Sequence, residues 1–396
     1  MTTGKLWRDL TRYALRGFEH SRRGSAPAGV GRRSRSVDTA GWFDWLTKPL
    51  LSNRGRAPFW LLAAVTATGT LAMHILIPVL PLAAADFSVS RRAIQQAITL
   101  YLFGIAGGQL LYGPVSDRFG RRPTLIAALI LYIAAGAVAG WAATIGTLLM
   151  ARVLQAVGGF LGAWFGWRSI FVMLVALGLV TLGGVVLALP ETAASRGSGR
   201  MLRGYPQLLR SRTFCGYLFG GAFTSTTFFA YLTASPFIFT DMLHRPATEV
   251  GLYYLVVLAG VPIGSFGSSR LARQVPLVLL LRATSAIALT GAVLFFAAAA
   301  TGTLSVVTVL GPMILFSVGV GAASPVAITA AISTDPQLIG AASGLYGFMQ
   351  MANGAVCTLM VGLIPADPAF AAATVLLAGL LLGQLFFLLA TRPAFR

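Results

Sequence analysis

Long apolar runs alternate with short polar connectors along most of the chain. A bilayer-crossing helix needs about 20 mainly apolar residues. Runs of that kind fall near 58–82, 94–115, 124–142, 169–189, 214–236, 249–267, 276–300, 304–330, 340–364 and 368–390. One further run, 144–165, is ambiguous. None shows the period-2 alternation of a barrel strand, so the pattern predicts α-helices throughout. Gly and Pro inside the runs fit this, because neighbouring helices can satisfy freed backbone groups. Small-residue spacings such as Gly104, Gly107 and Gly108 let helices approach closely.

Composition agrees with an all-α polytopic membrane protein. The 396 residues are 56% hydrophobic and only 10% charged, too little charge to cover a soluble globule of this size. Two cysteines, both in apolar runs, exclude a disulfide scaffold. The formal charge is +19. A basic balance can mark nucleic-acid binding, but no helix-turn-helix or zinc pattern accompanies these arginines. Residues 1–57 hold Lys5, Lys48 and ten arginines, and the other eighteen basic residues mostly cluster between apolar runs. That is the pattern in which basic residues stay in the cytoplasm. The first long apolar run begins near Pro58, too late for a cleaved leader.

The connectors then set an orientation. With the N-terminus inside, Arg118, Arg121 and Arg122 fall inside, as do Arg196 to Arg212 of the segment 190–213, and Arg270 and Arg273. Six spans from 214 onward return the C-terminus to the cytoplasm. The first half does not close so simply. A full crossing at 144–165 would strand the five arginines of 190–213 outside; a re-entrant hairpin would not.

The second connector reads Gly113-Pro114-Val115-Ser116-Asp117-Arg118-Phe119-Gly120-Arg121-Arg122-Pro123. Here the chain resembles the major facilitator superfamily, whose loop between the second and third helices carries G-x-x-x-D-R-x-G-R-R. Physically, Gly113 and Gly120 permit close backbone approach. Asp117 can accept from Arg118 or from helix N-terminal amides. With Arg121 and Arg122 this makes a polar latch that can hold one conformation and release another. The stretch Gly264-Ser265-Phe266-Gly267-Ser268-Ser269-Arg270-Leu271-Ala272-Arg273 echoes it in weaker form, as expected of parallel halves.

Further segments resemble the bicyclomycin/chloramphenicol-resistance (Bcr/CflA) subfamily of drug:proton antiporters: Ile77 to Pro81, Gly108 to Gly113, Arg152 to Gly158 and Tyr231 to Phe237. The resemblance covers about 58–390 and implies two helical half-bundles, an N-terminal one over 58–189 and a six-helix one over 214–396, joined by a cytoplasmic linker over 190–213. It also implies an internal deletion. The R-x-x-Q helix passes at once into Phe160 to Arg168, which looks like the outer end of the family's fifth helix and the turn into its sixth. Residues 144–159 span only about 24 Å as a helix, short of the roughly 30 Å hydrocarbon core. The expected count is ten full spans plus a re-entrant or abnormal segment. Residues 1–57 have no counterpart in the family core. They read as a basic extension, disordered or lying at the membrane surface, or as a dispensable tail.

No carboxylate lies within a confident span, whereas His74 and Arg152 do look intramembrane. Such groups are costly and default to functional. His74 stands where the resembled subfamily usually has an aspartate. With an unperturbed pKa of about 6.5, histidine can bind and release a proton. His74 is therefore either the proton site or a neutral histidine bonded to a neighbouring helix. Arg152 and Gln155 match the family's R-x-x-Q pattern and share a helix face, which implies a part in proton coupling; a membrane-edge arginine that snorkels to water is the alternative. Gln95, Tyr101, Gln109, Phe229, Tyr231, Gln350 and Asn353 are candidates for an apolar cavity with a few polar groups, or for helix–helix packing.

Metal-site spacing and a phosphate-binding loop are both absent from the sequence, so neither an enzyme, a cofactor nor an ATP-driven pump is expected. The reading is a monomeric, proton-coupled efflux transporter of small amphipathic compounds in a bacterial inner membrane, with both termini cytoplasmic. Export of a cellular metabolite is one alternative. A degenerate membrane protein that keeps the fold but not the cycle is another. Correctly inserted Asp117→Asn or Arg121→Ala is expected to transport at a small fraction of the wild-type rate. Wild-type uptake into inverted vesicles by Asp117→Asn would exclude the latch.

Overall fold

A computed structural model of the chain describes residues 61, 65, 72–119, 121–158, 166–189 and 199–391. The described residues are helical, with no strand among them. An apolar helical segment, Ala72–Asp86, contains a 3-10 turn at Ile77–Val79 before α1, Leu80–Asp86. Then follow α2 (Arg91–Phe119), α3 (Arg121–Gly140), α4 (Ile145–Gly158), α5 (Gly166–Ala188) and α6 (Gly199–Arg210). The second half comprises α7 (Arg212–Thr226), α8 (Phe228–Phe237), α9 (Ala247–Leu271), α10 (Leu277–Ala300), α11 (Val306–Ile332), α12 (Ile339–Leu363) and α13 (Pro368–Thr391).

Local chemistry places the ends. Ser211 accepts from the amide of Phe214 and starts α7. Ser305 and Thr308 cap the start of α11 reciprocally. Pro368 opens α13, with Asp367 accepting from the amide of Phe370 at 2.8 Å. Gly302, at φ 68°, makes the left-handed turn after α10. Six described helices are long and apolar enough to cross a bilayer: Arg122–Gly140, Ile170–Leu187, Glu249–Leu271, Leu277–Ala300, Val306–Ile332 and Pro368–Thr391. The 29-residue α2 and the 25-residue α12 are long enough as well, and carry more polar side chains.

Residue pairings fix the helix directions. Arg122 of α3 donates to the carbonyl of Val186 on α5 at 2.7 Å. A Cβ at Gly136 would meet Val175 at 3.3 Å, and one at Gly178 would meet Ile133 at 2.8 Å. So α3 and α5 run antiparallel, and α5 leaves the bundle where α3 enters it. That shared end is the basic one. It also carries Arg210, Arg212, Arg270, Arg273 and Arg282, with Arg282 donating to Thr391 at 2.8 Å. At the opposite end stand Asp86, Asp241, Glu249 and Asp367, with Arg91, Arg92 and Arg245.

Several sequence expectations are corrected. The second connector is not a loop: α2 runs through Asp117 and Arg118 to Phe119, and α3 begins at Arg121. The echo at 264–273 is likewise helical up to Leu271. The segment 190–213 contains α6, whose Gly204 seats against Leu338 and whose Gln207 donates to Asp335 at 3.1 Å. The run 214–236 is two helices meeting at Thr227, prolonged by a π turn at Ile238–Met242. Residues 1–57, read from sequence as a basic extension, lie outside the described residues.

Of the ambiguous run 144–165, residues 144–158 are described, and 159–165 lie outside the described residues. Its helix, α4, has 14 residues, about 20 Å against a core of about 30 Å. It starts beside the end of α3, at the acidic end of the bundle, and runs parallel to α2: Arg152 lies over Tyr101, and Val153 and Ala156 face Gly104. Its last described turn lies beside Gly104, midway along α2. Because α5 pairs antiparallel with α3, α4 and α5 both begin at that same end. Below Gly104, the groove between α2 and α3 continues toward the basic end as an apolar cleft of about 470 Å3, lined by Gly108, Leu111, Val115, Thr124, Ala127 and Leu131.

The second half packs through glycines instead. A Cβ at Gly264 would fall 2.0 Å from the carbonyl oxygen of Val318, and one at Gly321 would fall 2.1 Å from that of Val261, so α9 and α11 are in backbone contact. Gly264→Leu is expected to cost at least the 1–3 kcal/mol typical of overpacking, roughly speaking, and to lower the yield of folded protein. Gly267→Ala, with nothing within 4 Å, is expected to be neutral. Thermal melting in detergent tests the pair. For topology, single cysteines at 200 and 273, in a Cys215→Ser/Cys357→Ser background, are expected to react from one side of the membrane, and one at 302 from the other.

Candidate functional site

The polar groups of the membrane interior gather in two places. The first is built around Arg152. Its position on α4 puts it one helical turn before Gln155, so the two side chains share a face. Nη1 donates to Gln155 Oε1 at 2.7 Å, and Nη2 donates to the carbonyl of Ala72 at 3.2 Å. The guanidinium carbon lies 3.8 Å from the centre of the Tyr101 ring, a cation–π stack in a desolvated place. Arg152, Gln155 and Tyr101 are all fully buried. Arg152 thus joins α4, α2 and the segment that leads to α1, and it does not snorkel.

The second is built around His74, on that same leading segment. Its Nδ1 lies 2.9 Å from the hydroxyl of Tyr254 on α9. Its ring stacks on Phe229 of α8, with centroids 5.8 Å apart and planes at 3°. His74 is therefore bonded and packed across the two halves of the molecule. Its hydrogen-bond partner is Tyr254, whereas Arg152 bonds elsewhere.

The remaining cavity candidates sit mostly in contacts between helices. Gln95 donates to the carbonyl of Thr233 at 3.2 Å, joining α2 to α8. Gln350 donates to Ser225 at 2.8 Å, and Asn353 to Thr226 at 2.9 Å, joining α12 to α7. Gln109 lies against Gly347, where a Cβ would meet Oε1 at 2.2 Å. Tyr231 packs edge-on against Phe295 at 5.7 Å and beside Phe228. Gln95 and Gln109 reach the other half, whereas the contacts of Gln350, Asn353 and Tyr231 lie within the second half, and among the described residues they form no one continuous pocket. Of the latch candidates, Gly113, Asp117, Arg118 and Arg121 lie in α2 and α3, with their side chains outside what is described, as is Gly120 altogether. Arg122 is on the page through its bond to Val186.

Sequence reasoning missed several partners. Tyr254 is one. Thr99 and Thr358, 2.7 Å apart between α2 and α12, are others. Arg91 and Asp241, 3.7 Å apart at the acidic end, also join the halves. Tyr254 stood beside Tyr253 in an apolar run, and only Tyr254 points inward. The one available signal was that a buried Tyr hydroxyl seeks a partner.

The sequence pattern of the Major Facilitator Superfamily matches residues 59–160 and 156–358, two segments that meet where α4 ends. The bicyclomycin resistance protein homolog of Haemophilus influenzae is 22% identical over 72% of this chain and 84% of its own length. The chloramphenicol resistance protein of Pseudomonas aeruginosa is 27% identical over 79% and 84%. Multidrug resistance protein D of Escherichia coli is 23% identical over 77% and 88%. Among solved structures, a D-xylose-proton symporter superposes with a TM-score of 0.60 at 14% identity, covering 82% of this chain and 95% of that one. A bacterial homolog of the lysosomal transporter Spinster does so at 0.58 and 13%, covering 84% and 96%. Helix order, half-bundle packing and sequence pattern converge: the chain is a multi-pass membrane protein of the Major Facilitator Superfamily.

Proposed function

We propose that the protein exports small amphipathic compounds in exchange for protons, by alternating access of two half-bundles. The observation that carries this reading is the bond from His74 to Tyr254 across the halves. The carboxylates of the chain all lie in connectors, at helix ends or in residues 1–57. His74 is then the intramembrane side chain whose ordinary titration range spans neutral pH. A neutral imidazole can accept the Tyr254 proton at Nδ1, or donate from it. An imidazolium can only donate there, so Tyr254 must turn its own proton elsewhere. Protonation thereby changes a contact that holds the halves together, which is the link a coupled transporter requires. Relatives named for bicyclomycin, chloramphenicol and multidrug resistance support export of drug-like compounds.

The basic end faces the cytoplasm of a bacterial inner membrane in this reading, because Lys and Arg are retained there. Asp117, Arg118, Arg121 and Arg122, at the junction of α2 and α3, act as the latch of that end. The protein works as a monomer. The membrane-spanning half-bundles are 58–189 and 214–396, and 190–213 joins them, partly as the surface helix α6.

A second reading has a specific observation behind it. Among the described residues, the α2–α3 groove of the first half stands open, whereas α9, α10 and α11 of the second half pack through glycines. A protein that retains the fold and has lost the cycle fits that observation. Export of a cellular metabolite shares the transport geometry and differs only in cargo.

His74→Ala is expected to remove substrate-driven proton movement in inverted vesicles while ligand binding stays measurable. Tyr254→Phe, which keeps the imidazole and deletes its partner, is expected to weaken coupling by about tenfold, the effect of losing roughly 1.4 kcal/mol from one buried hydrogen bond. Unchanged pH dependence in His74→Ala would remove His74 from the mechanism. Absence of gradient-driven transport of any compound by the wild type would favour the second reading.

A further inference from the structure

Arg152 and the two side chains it touches carry a positive charge and buried donors without acceptors. The guanidinium has five N–H groups, and its two described side-chain and backbone bonds go from Nη1 and Nη2. Its Nε, the Gln155 Nε2 and the Tyr101 hydroxyl are buried and have no hydrogen-bond partner. Two of these three are donors only, and the third can donate. They belong to one cluster, because Gln155 is bonded to Arg152 and the Tyr101 ring lies under its guanidinium. Buried polar groups without partners are rare, and each calls for a physical explanation.

The charge points the same way. Of eleven carboxylates in the chain, four lie in residues 1–57 and Glu191 lies between α5 and α6. The other six lie at or near the ends of helices. Among the described residues none stands at the depth of Arg152, and no described acid neutralises that cation inside the bundle. His74 can only add positive charge, and its own described bond is to Tyr254. An unpaired buried cation is costly unless an anion joins it.

We propose that Arg152, Gln155 and Tyr101 form the binding site for an anionic group on the transported compound, a carboxylate or a similar planar oxyanion. Its oxygens accept from Arg152 Nε, Gln155 Nε2 and the Tyr101 hydroxyl, and its charge supplies the counter-ion. This assigns the substrate class as lipophilic organic anions, and it rests on the transport reading above. The cluster is closed in this structure, so the ligand reaches it when the first half opens around Ala72 and α4. A small inorganic anion offers the same oxyanion or halide chemistry, and the test separates it from the cargo.

The test uses the full chain in lipid nanodiscs and three matched probes: 1-naphthylacetate, its methyl ester, and 1-naphthylmethylammonium. Equilibrium binding is expected to favour the carboxylate by about tenfold or more over both others, the scale of a charge-assisted hydrogen-bonded pair. Arg152→Gln is expected to erase the preference and Arg152→Lys to keep part of it. Tyr101→Phe, which keeps the ring under the guanidinium, is expected to lower carboxylate affinity several-fold and leave the ester unchanged. If Arg152→Gln does not fold, the wild-type preference and Tyr101→Phe decide the matter. Equal binding of the three probes by the wild type would overturn the proposal. So would a carboxylate preference unchanged in Tyr101→Phe and Arg152→Lys, or full displacement of the carboxylate by chloride near 0.15 M, about physiological strength. The two readings fail separately. Carboxylate preference without transport would leave the site standing and remove the function, and transport without that preference would do the reverse.

Discussion

Arg152 places a full positive charge where water does not reach, and the elements of the first half are arranged to meet the cost of doing so. The Ala72 carbonyl, the Gln155 amide and the Tyr101 ring come from three separate segments. Each lowers the energy of the guanidinium only if its own segment is in place. The same contacts hold the 14 described residues of α4, about 20 Å of helix, against their neighbours. Removing the cation would therefore loosen α4 from α2 and from the segment leading into α1, as well as removing a charge.

The two halves reach stability by different routes. In the second, α9, α10 and α11 approach at glycines such as Gly264, Gly291 and Gly319, close enough that a Cβ would meet backbone atoms of the neighbour at 2.0–2.5 Å. Such contact relies on dispersion along whole helices, since lipid offers no hydrophobic drive between them. In the described part of the first half, a Cβ at Gly104 would meet the Val153 carbonyl at 2.9 Å and one at Gly178 would meet the Ile133 and Tyr132 side chains, and farther toward the basic end the α2–α3 groove stands open. Several polar contacts reach from the first half to the other half. His74 with Tyr254, Gln95 with Thr233, Thr99 with Thr358 and Arg91 with Asp241 all lie toward the acidic end. This structure is closed there.

Much of this was legible in the sequence, for reasons that can be stated. The spans of the second half were long, apolar and bounded by Pro, Gly or Arg, so α9 to α13 fall within a few residues of the expected runs. Arg152 and Gln155 were legible because a charge inside an apolar run has few bland explanations. The junction at 113–123 was misread as a loop, because polar and Gly-rich composition suggests a turn while helical geometry can also carry it between closely spaced α2 and α3. The break at Thr227 was invisible, since apolar runs carry no periodicity to interrupt. Tyr254 could not be found, because a contact between residues 74 and 254 is a property of how the halves meet. The unmet donors beside Arg152 were equally hidden. They appear only when the bonds of each atom are followed in three dimensions.

The central claim is that the two halves move against each other around these buried polar groups. Spin labels at Ser88, in the connector between α1 and α2, and at Thr303, between α10 and α11, would report the separation of the halves at the end that is closed here. Double electron–electron resonance in nanodiscs, across a pH range that spans the ordinary titration of histidine, reads that distance directly. The account predicts two distance populations whose ratio shifts with pH in the wild type and stays fixed in His74→Ala. A single, unchanging population at every pH would contradict it.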